Sequence, residues 1–88
     1  MIQVINGKRY DSQKSTTIGT ISKGTGRTTT LEKTKKGNFF FYHDTQWQGE
    51  VDSIEPISKE EAIVQYGNII GEADVDYEST FGEEPEEA

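Results

Sequence analysis

Gly37-Asn38-Phe39-Phe40-Phe41-Tyr42-His43 is the stretch on which the fold turns. Successive side chains of an extended strand point to opposite faces of a sheet. Four consecutive aromatic residues therefore place large apolar rings on both faces, and both faces require cover. Before it, residues 27–34 (Arg-Thr-Thr-Thr-Leu-Glu-Lys-Thr) suit a strand with one wet face, and Lys35-Lys36-Gly37-Asn38 turns the chain back. This hairpin is expected at the centre of the sheet.

Working outward toward the N-terminus, residues 16–22 are β-branched enough for a further strand, with Gly19 as a candidate bulge. Lys23-Gly24-Thr25-Gly26 reads as a flexible loop. Residues 11–15 read as a polar turn in which Asp11 can accept backbone N–H groups. Ile2–Ile5 and Lys8-Arg9-Tyr10 flank Asn6-Gly7, which fills both positive-φ positions of a type I′ turn, so a tight hairpin is expected there.

Toward the C-terminus, Trp47 sits in a polar loop as either core cover or an interface anchor, and the sequence leaves both open. Pro56 keeps residues 53–57 extended and at a sheet edge. Ser58-Lys59-Glu60-Glu61 has the spacing of a capping box, in which the Ser58 hydroxyl bonds the N–H of Glu61 and the Glu61 carboxylate reaches back. Ala62, Ile63, Tyr66, Ile69 and Ile70 form one apolar helical face, for which Gly71 is the expected stop and Gly67 the earlier alternative. Beyond it Ala73, Tyr77 and Phe81 recur every four residues between acids, the pattern of a short docked helix. The expected architecture is α+β: a small antiparallel sheet of about five strands built from two hairpins, one C-terminal helix and a short acidic helix. Residues 1–81 form the single domain and residues 82–88 an acidic, mobile tail.

The 88 residues allow one small domain with a thin core, since hydrophobic content is only 31%. Mean hydropathy is −0.78. With no cysteine and one histidine, disulfides, thiolate metal centres and a histidine-based zinc site are excluded within one chain. No apolar run approaches the length of a membrane span and no signal peptide is evident, so a cytoplasmic protein is expected. Charge is unevenly placed. Glu72, Asp74, Asp76, Glu78, Glu83, Glu84, Glu86 and Glu87 give the last 18 residues a charge of −8, while residues 1–36 carry eight basic side chains against two acidic ones.

Motifs for chemistry are few. His43 lies beside Asp44 and Tyr42, but strand neighbours point to opposite faces and make no dyad. No Gly-x-Ser-x-Gly occurs, neither glycine-lysine turn has the Gly-Lys-Ser/Thr ending of a phosphate loop, and the acid spacing lacks the glycine of an EF-hand. The sequence points to no enzyme, no cofactor and no metal.

The segments Ile5-Asn6-Gly7-Lys8-Arg9-Tyr10-Asp11, Ile18-Gly19, Gly37-Asn38-Phe39-Phe40-Phe41-Tyr42, Ile54-Glu55-Pro56-Ile57-Ser58 with Glu61-Ala62, and Asp76-Tyr77-Glu78 with Phe81-Gly82 together resemble small proteins of phages and mobile elements, some of which act as anti-CRISPRs. The resemblance spans most of the chain, on motifs for turns, strands and caps; it departs in the threonine-rich second quarter and around Trp47. It implies an α+β domain in the host cytoplasm that inhibits a CRISPR effector complex by binding it. An acidic run is ordinarily a solvating tail. Here Val75, Tyr77 and Phe81 lie between the acids, so the expected contact residues are Asp74, Asp76, Glu78, Glu83 and Glu84, matched to a basic nucleic-acid-handling surface as in a DNA mimic, with Tyr77 and Trp47 as apolar anchors. The other readings are a structural or assembly homodimer and a small nucleic-acid binder using the basic N-terminal half. The acidic segment argues against the last, because it would repel phosphates nearby.

Overall fold

A computed structural model of the chain describes residues 1–87. Six strands and two helices follow in the order β1 (Ile2–Ile5), β2 (Lys8–Asp11), β3 (Thr16–Gly24), β4 (Arg27–Lys33), β5 (Phe39–Thr45), β6 (Ser53–Ile57), α1 (Lys59–Tyr66) and α2 (Tyr77–Phe81). The architecture is α+β and the pairing antiparallel throughout. The strands divide between two sheets: β3-β4-β5-β6 forms a four-stranded meander, and β1-β2 forms a separate hairpin.

The aromatic run explains the division. Phe39 and Phe41 face one side of the meander, where Phe39 joins Ile18, Leu31, Ala62 and Phe81 in a core that Ile57, Ile63, Tyr66 and Tyr77 extend. Phe40 faces the other side and packs with Tyr10 and Ile54, flanked by Ile5 and Tyr42. The first core is roofed by the helices and the second by the β1-β2 hairpin, whose Tyr10 ring meets Phe40 edge-on at 5.4 Å between centroids. The hairpin thus serves as a lid over the sheet. Asn6 (φ 51°) and Gly7 (φ 77°) both take the left-handed conformation that a type I′ turn demands.

β3 carries two register irregularities, between Thr17 and Gly19 and between Thr20 and Ser22. The first is the bulge expected at Gly19, and the structure supplies its reason. A Cβ at Gly19 would lie 2.7 Å from Ile69 Cγ2, so glycine leaves the room in which the Ile69 side chain, from the chain after α1, lies against the strand. That crossing also satisfies the edge of the sheet: Ile70 N–H donates to the Thr20 carbonyl and Asp74 N–H to the Ile18 carbonyl, each at 2.7 Å.

Three local expectations are corrected. α1 ends at Tyr66 with Gly67 as its cap, not at Gly71, because Ile69 and Ile70 leave the helix to cover β3. The second helix is only Tyr77–Phe81, since the bends before it are held to the edge of β3 through Asp74 N–H; Ala73 lies outside it. At Ser58 the capping box is half formed. The hydroxyl accepts from Glu61 N–H at 3.1 Å, while the Glu61 carboxylate accepts from Gln65 rather than reaching back.

Candidate interaction surfaces

Asp74, Asp76 and Glu78 are exposed on a segment that the core holds in place. Val75, Tyr77 and Phe81 pack inward, and the Phe81 ring lies 5.3 Å from Phe39, 5.8 Å from Tyr66 and 4.6 Å from Tyr77. The Tyr66 hydroxyl donates to the Val75 carbonyl at 3.0 Å. At the end of α2, Lys33 Nζ donates to the Thr80 carbonyl at 2.7 Å, so a cation from the sheet meets the negative end of a helix that has no basic residue in its own last turn. Gly82, in the left-handed region, then terminates the helix.

Asp76 has a structural task as well as a charge. Its carboxylate accepts the Ser79 N–H at 2.7 Å and caps α2. That backbone hydrogen bond, with the Ser79 hydroxyl second, holds the carboxyl below the usual aspartate range. The cap is therefore fully in force above the unfolded aspartate pKa of about 3.9 and is lost as pH falls through the lower folded value. In an acid titration the Ser79 amide resonance is expected to move with Asp76 and to stay still in Asp76→Asn, which caps without titrating; a Ser79 shift that persists in the variant would remove this assignment. Glu83 pairs with Lys59 at 3.6 Å, and Glu84 is exposed beyond the helix.

Trp47 lies elsewhere. Its indole N–H donates to the Thr25 carbonyl at 2.8 Å and its ring covers Gly26, where a Cβ would be 2.7 Å from Nε1. The loop beneath it is fastened by Asp52, which accepts from the Tyr42 hydroxyl at 2.6 Å and from Thr45 N–H at 3.0 Å, and by Glu50, which pairs with Arg27. The hydrogen bond that the Tyr42 hydroxyl donates to Asp52 is the chief reason its pKa is pushed up to about 12. Trp47 remains 49% exposed, so it is both cover for a turn and a presented ring. Asp74 bonds Ile18 near the start of β3 and Trp47 bonds Thr25 just past its end, about 23 Å away at roughly 3.3 Å per residue. The acids and Trp47 do not form one patch.

One arrangement was invisible in the sequence because its members come from three strands. His43 on β5 lies between Thr29 on β4 and Glu55 on β6, with Thr29 Oγ1 2.9 Å from Nδ1 and Glu55 Oε1 2.9 Å from Nε2. A hydroxyl, an imidazole and a carboxylate in that order are the elements of an activated nucleophile. β4 is flanked by strands on both sides, however, so the backbone N–H groups around Thr29 belong to the ladder and are not available to hold an oxyanion. The arrangement links three strands across the sheet.

A groove of about 480 Å³ opens beside the lid hairpin, lined by Lys8, Arg9, Lys14, Lys35 and Lys36 with Asp11 as its one acid. Among the described residues no group of three His, Asp or Glu side chains is placed to hold a metal ion, and no helix is long and apolar enough to cross a membrane. No family model, curated protein or solved structure matches the chain.

Proposed function

We propose that the chain is a binding protein whose acidic C-terminal element engages a basic surface on a partner protein. The observation that carries this reading is the fixing of Asp74, Asp76 and Glu78 in exposed positions by the inward packing of Val75, Tyr77 and Phe81. A solvating tail gains nothing from such anchoring, whereas a preorganised array avoids the ordering cost on binding and steers encounter with Lys and Arg. The resemblance to phage and mobile-element proteins makes the partner a nucleic-acid-handling groove of a CRISPR effector complex in the host cytoplasm. The carboxylates stand in for phosphates, and the outcome is inhibition.

Asp74→Asn/Asp76→Asn/Glu78→Gln tests this with little disturbance, because Asn retains the cap at position 76. Against a panel of purified effector complexes, the parent chain is expected to bind and block target cleavage. The triple variant is expected to bind at least tenfold more weakly, with a flatter dependence on salt, as the loss of three charges from a steered contact requires. Inhibition by the triple variant equal to that of the parent would remove the charge-matching reading. Lack of binding by the parent to every complex would remove the partner.

A further inference from the structure

The basic groove is a second surface, built from parts that the acidic element does not use. One wall is β2 and the residues after it, carrying Lys8, Arg9 and Lys14; the other is the β4-β5 turn, carrying Lys35 and Lys36. All five cations are exposed, and among the described residues none makes an ion pair; the three pairs present are Arg27–Glu50, His43–Glu55 and Lys59–Glu83. In a chain of net charge −7, five unneutralised cations around one concavity are a local field opposite in sign to the whole.

Opposite faces of the meander carry the two fields. The hairpin lid lies on the Phe40 side and the acidic element on the Phe39 side. Asp74, Asp76 and Glu78 thus lie across the sheet from the hairpin wall of the groove, and exposed charges separated by more than the Debye length of about 8 Å at physiological salt are largely screened from one another.

The lining selects the class of ligand. Gly7 lines the groove with open space where a Cβ would stand, which leaves that turn room for an approaching backbone. No aromatic ring lines the groove, so bases have no stacking platform. The Asp11 carbonyl at the end of β2 already accepts from Lys14 and Ser15 N–H, so that four-residue strand offers an acidic peptide only a short ladder. What remains is charge on two walls, the requirement for a chain of phosphates.

We infer that the groove binds the phosphate backbone of single-stranded nucleic acid, by charge and without reading the bases. The inference is independent of the identity of the acidic element's partner. Fluorescence anisotropy with labelled oligothymidylate and oligoadenylate at increasing salt tests it. The two oligonucleotides are expected to bind alike, with log K falling against log salt at a slope of about −2 to −3.5, as three to five phosphate contacts give. Lys35→Gln/Lys36→Gln is expected to weaken binding about tenfold and to make the slope shallower by about 1.4, two contacts' worth. Lys23→Gln/Lys59→Gln removes the same charge away from the groove and is expected to leave both values unchanged. Equal losses in the two variants, or no binding at low salt, would overturn the groove as the site. Tighter binding of polyglutamate would make the occupant an acidic protein segment, and equal competition by tripolyphosphate per phosphate would make it a compact polyphosphate; either overturns the strand.

Discussion

Phe40→Ala is expected to unfold a large fraction of the protein at room temperature. Phe40 is fully buried at the junction of the sheet and its hairpin lid, packed with Tyr10 and Ile54 and flanked by Ile5 and Tyr42. Truncating such a ring costs about 3–5 kcal/mol through lost transfer energy and the cavity left behind. Domains have only about 5–15 kcal/mol in total, and one this small sits near the lower bound. Urea denaturation measures the effect, with Val51→Ala, at an 88% exposed site, as the reference. A midpoint shift no larger than that of the reference would mean that the hairpin lid is not part of the cooperative unit.

Phe81→Ala is expected to act regionally. Phe81 joins Phe39, Tyr66 and Tyr77 and is the chief anchor of α2, so the same loss of about 3–5 kcal/mol falls on the docking of the C-terminal element. Subglobal opening then becomes cheaper than global unfolding. Amide exchange should quicken at Ile70 and Asp74, whose N–H groups bond β3, while β4 and β5 keep their protection. Exchange that quickens uniformly would show that the acidic element and the sheet open together. The variant keeps every acid, so a loss of partner binding in it would separate the order of the charges from their number.

Much of this fold was legible because it is written locally. Asn6-Gly7 names its turn by backbone sterics, Ser58 names its cap by one hydroxyl three residues before an N–H, and the alternation of Phe39 to Tyr42 names two cores. The end of α1 was misread because periodicity continues through Ile69 and Ile70, and only the competing bonds to β3 explain why the helix stops first. Nothing local distinguishes Glu32, yet it is 2% exposed and accepts the hydroxyls of Ser15 at 2.7 Å and Thr17 at 3.0 Å. Those partners lie 17 and 15 residues away, respectively. The acids of the candidate site were legible as composition. Their separation from Trp47, the Thr29-His43-Glu55 bridge and the basic groove depend on which strands lie side by side, which no short window of sequence contains.

The crossing at Gly19 ties protection of the sheet edge to the placement of the acids. A meander has two raw edges, each able to recruit the strand of another molecule and begin a fibre. Here β6 is interrupted by Pro56, and β3 is sealed by the same residues that carry the acids outward. A partner that peeled the acidic element away would unseal the sheet, so the element is best gripped where it lies. On the function proposed above, selection on the contact surface and selection against self-assembly act on one stretch of chain, and a substitution there is judged twice.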